Sequence, residues 1–238
     1  MPSRWDSVIS EGAKMRCYVS APESGGPHPA IIVIQHAGGV DTFVQGMAER
    51  FAGEGYVAVA PDLYHREDPD TSDDPLTRMG RLRDATIIAD VNAAIDHARA
   101  LPEADAERLG ITGYCMGGRV TYLMAAVNPH LKAAVDCWGG NVFVPWGEGP
   151  SPFELSQRIS CPLLGLFGEE DPNPSPADVA KIDAELTRLG KPHEFHRYNG
   201  AGHAFQNFLD ASRYRERPAR GSWSEMLAFF AQYLRTEP

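Results

Sequence analysis

Residues 30–35 read Ala-Ile-Ile-Val-Ile-Gln, apolar at every position but the last. Side chains along a strand point alternately to its two faces, so a strand that is apolar throughout must be covered on both. That is the situation of a central strand in a parallel sheet flanked by helices. The rest of the chain repeats the theme. Strands are expected at 15–19, 56–60, 109–112, 133–137, 163–167 and 194–198. Between them lie stretches of helical period: Phe43, Met47 and Phe51 within 42–53, then Ile87, Val91, Ala94, Ile95 and Ala98, then 120–127, 177–189 and 222–234. This alternation predicts an α/β fold with a mostly parallel central sheet, and 238 residues suit one such domain spanning 1–238. Residues 61–74 are rich in Asp, Pro, His and Arg, and such a long polar connection is expected to border a pocket rather than separate two domains.

The charge balance narrows the partners. Lys and Arg total 22 against 32 for Asp and Glu, a net charge of −10 that repels nucleic-acid backbones and anionic lipid surfaces. The longest apolar run, 29–34, is far short of the ~20 residues that cross a bilayer. Residues 1–8 have neither the apolar core of a signal peptide nor the Arg-rich pattern of a transit peptide. Cys17, Cys115, Cys137 and Cys161 form no CxxC pair, which argues against a zinc site and a disulfide framework. A reducing, cytoplasmic setting is expected, with a small molecule as partner.

The expected strand at 109–112 runs into Gly113-Tyr114-Cys115-Met116-Gly117-Gly118 and then a helix. A nucleophile at the tip of a strand-turn-helix needs a strained backbone, and glycines two residues before and after it allow strand and helix to approach closely. The helix dipole beyond the turn favours a thiolate. A Gly-rich βα turn holding an inert cysteine would look the same in isolation. Two further segments argue against that alternative. Gly168-Glu169-Glu170-Asp171-Pro172 follows the strand at 163–167, and Gly200-Ala201-Gly202-His203-Ala204-Phe205 follows the strand ending near Tyr198. Nucleophile, acid and histidine thus occur in the chain order of an α/β-hydrolase fold, with Asp171 placed to orient His203 and His203 to move the thiol proton of Cys115. In this fold the oxyanion hole pairs the N–H after the nucleophile, here Met116, with one from the loop after an earlier central strand, His36-Ala37-Gly38-Gly39, where Ala37 is the candidate.

With Gln35, Pro61-Asp62-Leu63-Tyr64 and the three segments above, the chain resembles the dienelactone hydrolase family over almost its whole length. The resemblance implies a cofactor-independent hydrolase that opens a lactone or small carboxylic ester through Cys115, Asp171 and His203. A thioesterase or general carboxylesterase with the same triad is the alternative within catalysis, and a non-catalytic ligand-binding module the alternative outside it. A nucleotide-binding domain is disfavoured, because no strand leads into a GxGxxG or a P-loop. Two departures bear on substrate. Members of the family carry Glu after the Gln, where this chain has His36, and an arginine shortly after the histidine, where it has Gln206 and Asn207. A second family arginine would fall among Arg78, Arg81 and Arg83. His36, Tyr64, Arg78, Arg81 and Trp138 are therefore the candidates for contacting substrate, while His65, His193 and His196 are expected in loops or at the surface.

Overall fold

The computed structural model describes residues 2–68 and 70–235. Its centre is one eight-stranded sheet. In chain order the strands are β1 (Ser3–Ser10), β2 (Ala13–Ser20), β3 (His28–Ile34), β4 (Val57–Pro61), β5 (Ala104–Tyr114), β6 (Leu131–Cys137), β7 (Leu163–Gly168) and β8 (His193–Tyr198). They lie in the order β1-β2-β4-β3-β5-β6-β7-β8. β1 and β2 form an antiparallel hairpin that joins β4 antiparallel, and every other pairing is parallel.

The described residues form six α-helices, α1 (Thr42–Gly53), α2 (Pro75–Arg81), α3 (Asp84–Ala100), α4 (Met116–Val127), α5 (Pro176–Arg188) and α6 (Glu216–Leu234), of which all but α2 bury residues in the core. The double covering expected of residues 30–35 is present. Ile31 and Val33 pack on the face that carries Phe43, Phe51 and Phe230 from α1 and α6, whereas Ile32 and Ile34 pack on the face that carries Ile87, Val91 and Val120 from α3 and α4. The α/β architecture, a mostly parallel sheet between helices, is the one the sequence predicts.

Several elements depart from the expected bounds. The first residues form β1, an edge strand paired with β2 over eight positions. Its outward face is largely exposed, so it lacks the apolar alternation that marks a buried strand. β5 extends beyond 109–112 to Ala104 and Tyr114, because its first residues project past the covered part of the sheet and tolerate Asp105 and Glu107. α6 begins at Glu216 rather than near 222. α2 directly follows the polar stretch 61–74 and its signal is short: Pro75 in the first turn and an Asp74 cap that accepts from Leu76 N and Thr77 N. His65, expected in a loop or at the surface, lies in the turn after β4, but its side chain is buried, 3.1 Å from Asp90 Oδ1. No helix among the described residues is long and apolar enough to cross a membrane.

Candidate active site

β5 hands over to α4 at Cys115, whose φ of 59° and ψ of −118° lie in a region that side chains rarely adopt. The surroundings impose it. A Cβ on Gly113 would stand 2.1 Å from the Gly117 carbonyl oxygen, and one on Gly117 would stand 2.5 Å from that of Ile34. Only glycine fits at either place, and the close approach they allow turns the chain sharply at the cysteine. Cys115 N donates to Cys137 O at 3.1 Å, while Gly118 N donates to Cys115 O at 2.9 Å, so the strained residue is tied to β6 on one side and α4 on the other.

The loops after β7 and β8 meet beside it. Glu169 N donates to Tyr198 O and Glu170 N to Ala201 O, and these bonds fix the two loops to each other. His203 Nδ1 lies 2.8 Å from Asp171 Oδ2. The other carboxylate oxygen, Oδ1, accepts from Asn173 N at 2.8 Å, so the buried Asp171 is held by both oxygens. Burial disfavours the charged form of His203, but hydrogen bonds to Asp171 and to Cys115 and the negative charge of both outweigh it and raise the imidazolium to about 10.

Met116 opens α4, so its N–H is among the first-turn donors that a helix cannot satisfy itself. Tyr64 ties this point to the neighbouring loop: its buried hydroxyl donates to Ala37 O at 2.9 Å and reaches Met116 Sδ at 3.6 Å. Burial holds that phenol well above its ordinary value, which keeps the donor proton in place. Gln35 Oε1 accepts from Leu63 N, joining the ends of β3 and β4 beneath the same loop.

A cleft of about 220 Å³ opens over Cys115 and His203. Leu76 and Met79 from α2 face it, with Met116, Asn141 and Trp146 opposite. A larger groove of about 620 Å³ contains neither Cys115 nor His203 and belongs to the far side of Tyr64. Tyr64 and Arg78 line that groove rather than the cleft, with the Arg78 guanidinium 4.1 Å over the Tyr64 ring. Arg78 Nε donates to Glu67 at 2.6 Å, and Arg81 pairs at the surface with Glu67 and Asp73. Trp138 is buried against Tyr114 and Phe205 and does not line the cleft. His36 is engaged within its own loop. Nε2 lies 2.9 Å from Asp41 Oδ2, and Nδ1 accepts from Gly38 N at 3.2 Å. These five residues thus shape the surroundings, and none is among the cleft's lining.

The cleft walls absent from the sequence reading come from α2 and from the loop 139–147. That loop is held from below by Arg119, which donates to Asn141 O and Val144 O, and by Asp84, which accepts from Trp146 N at 2.8 Å. An arginine near the start of a helix and an acid in a helix's first turn both look like solvated residues, so no local signal distinguishes them. Asp136, wholly buried beneath Gly118 and Gly139, is a second such group. Burial raises its carboxyl to about 7 against a single hydrogen bond from Gly139 N.

Residues 15–234 match the pattern described as "Dienelactone hydrolase family". A Salmonella typhimurium protein named "Putative carboxymethylenebutenolidase" is 38% identical over 95% of this chain and 86% of its own length. One of the same name from Methylorubrum extorquens is 35% identical over 91% of this chain and 76% of its own. The crystal structure described as "Putative Dienelactone Hydrolase" from Klebsiella pneumoniae superposes with a TM-score of 0.88 at 38% identity, covering 98% of this chain and 99% of that one.

Proposed function

The chain belongs to the dienelactone hydrolase family, and we propose from this that it hydrolyses a lactone or small carboxylic ester with Cys115 as nucleophile, His203 as proton carrier and Asp171 as the group that orients it. The observation that carries the reading is the 2.8 Å contact between His203 Nδ1 and Asp171 Oδ2 beside a cysteine held at φ 59°. Asp171 fixes the tautomer, so that Nε2 is the nitrogen that exchanges a proton with sulfur.

The sulfur attacks the acyl carbon, and the carbonyl oxygen takes up negative charge facing the N–H groups of Met116 and Ala37. Collapse of the adduct expels the alkoxide, which takes the proton carried by His203. Acylation removes the interaction with the Cys115 sulfur that is part of what raises His203 to about 10. The neutral imidazole is then populated at lower pH and can deprotonate the water that hydrolyses the thioester. One residue thereby serves as acid in the first half and base in the second. The reason is that the sulfur interacts with His203 in the first half and is capped by the acyl group in the second. The three buried free cysteines, Cys17, Cys137 and Cys161, suit a reducing compartment, and we place the protein in the cytoplasm.

The test is a set of lactones and p-nitrophenyl esters with wild type and Cys115→Ala, followed by intact-mass measurement after rapid acid quench. Hydrolysis with an acyl adduct on Cys115, absent in the variant, is expected. Turnover that survives Cys115→Ala would refute the assignment.

A further inference from the structure

We infer that the cleft over Cys115 selects an uncharged ester or lactone with a short apolar acyl part and turns away the same substrate carrying a carboxylate, an inference that rests on the hydrolase reading above. Leu76, Met79, Met116, Trp146 and Pro172 supply the apolar side chains of the wall beside Asn141 and Asn173, and the charged groups that reach the space are Asp171 and His203, already paired with each other. Among the described residues, three of the guanidiniums near the cleft are paired with carboxylates. Arg119 is spent on Asp84, Arg78 on Glu67 and the face of Tyr64, and Arg81 on Glu67 and Asp73. Arg83 is exposed, donates to the carbonyls of Gly80 and Leu82, and borders a neighbouring hollow that shares Met79, Asn141 and Trp146 with the cleft but does not include Cys115. Beyond His203 the side chain of Gln206 turns into the core, where Nε2 donates to Ser222 Oγ at 2.6 Å.

The mouth continues the same chemistry. Leu76, which lines the cleft, is 68% exposed. A methyl group placed against these walls gains by leaving water. A carboxylate in the same position loses its hydration with no arginine or lysine among the lining residues to replace it, and the one cation there, the His203 imidazolium, already faces Asp171. The cleft's 220 Å³ suits a short acyl chain.

The experiment compares p-nitrophenyl pentanoate with the p-nitrophenyl half-ester of glutaric acid, in which a carboxylate replaces the terminal methyl, corrected for spontaneous hydrolysis. The neutral ester is expected to be favoured in kcat/KM by about 10- to 100-fold. Leu76→Arg should narrow that ratio, and Leu76→Gln, polar but uncharged, should leave it. A wild-type ratio near one, or an arginine effect no larger than that of glutamine, overturns the inference. Failure to hydrolyse either ester counts against the hydrolase reading instead, and a second arm then judges the cleft without turnover. Butanal and succinic semialdehyde are compared for protection of Cys115 from iodoacetamide, read by mass spectrometry. The thiol adds across the aldehyde: an S–C bond forms, the carbonyl oxygen takes the thiol proton, and nothing else is consumed. Butanal should protect at lower concentration. Equal protection, including none by either aldehyde, or better protection by the anionic aldehyde, overturns the inference.

Discussion

Arg119, four residues after Cys115 on α4, forms a two-pronged ion pair with Asp84 at the start of α3, Nη1 to Oδ1 at 2.6 Å and Nη2 to Oδ2 at 3.0 Å. The Arg119 side chain is fully buried, and its guanidinium also lies 4.0 Å over the Trp146 ring. The pair therefore fastens the loop that walls the cleft to the two helices beneath it. Asp84→Ala leaves a guanidinium buried without a counter-charge and should cost about 3–5 kcal/mol in urea unfolding. Arg119→Met in the same background should recover part of that loss, because it removes the orphaned charge while keeping an unbranched side chain. A cost below about 1 kcal/mol for Asp84→Ala would place the pair with weak surface contacts instead.

The four thiols are predicted to differ in reactivity under native conditions. Burial pushes Cys17 and Cys161 up to about 12 and Cys137 well above its ordinary value, whereas Cys115 is only half-buried at the cleft. Iodoacetamide should label Cys115 first, with esterase activity lost in step. Peptide mapping after partial labelling reads the order, and early modification of any other cysteine with activity intact contradicts it.

The His203 titration should depend on both partners. In wild type the imidazolium persists to about 10, and the stabilisation it contributes is complete below the ordinary 6.5 and lost as pH rises through about 10. Asp171→Asn and Cys115→Ala each remove a raising contribution, leave the lowering effect of burial, and should move the midpoint down in an NMR titration. Asp171→Asn should also lower kcat by several orders of magnitude. Glu169→Gln and Glu170→Gln alter exposed side chains and should change kcat little. A midpoint unmoved by Asp171→Asn would dissociate the 2.8 Å contact from the chemistry.

Asp136 should make the fold sensitive to pH near neutrality. Burial raises its carboxyl from 3.8 to about 7, so the folded state binds a proton that the unfolded state releases, and stability falls as pH rises between those values. Asp136→Asn keeps an acceptor for Gly139 N and cannot ionise. It should be more stable than wild type at pH 8.5 by about 1–3 kcal/mol and much closer to it at pH 5. Parallel denaturation curves at the two pH values test this, and an equal difference at both would show that ionisation of Asp136 is not involved.

What the sequence determined by itself was local or ordered along the chain. Residues 30–35 had to be covered twice because a strand's side chains alternate, and they are. The glycines around Cys115 announced a turn that only they permit, and the helix expected at 42–53 has those bounds because Phe43, Met47 and Phe51 repeat at the helical period. Tertiary structure decided what side chains distant in sequence do to one another. Asp84, Arg119 and the loop 141–146 come together only once α3 and α4 lie side by side on one face of the sheet. α2 showed only seven residues with none buried, so no amphipathic period betrayed that Leu76 and Met79 would wall the cleft. His36, Arg78 and Arg81 carried the residue types of a polar site, yet Asp41, Glu67 and Asp73 already engage them. A charged or polar side chain is defined by its partner, and its partner is set by the fold.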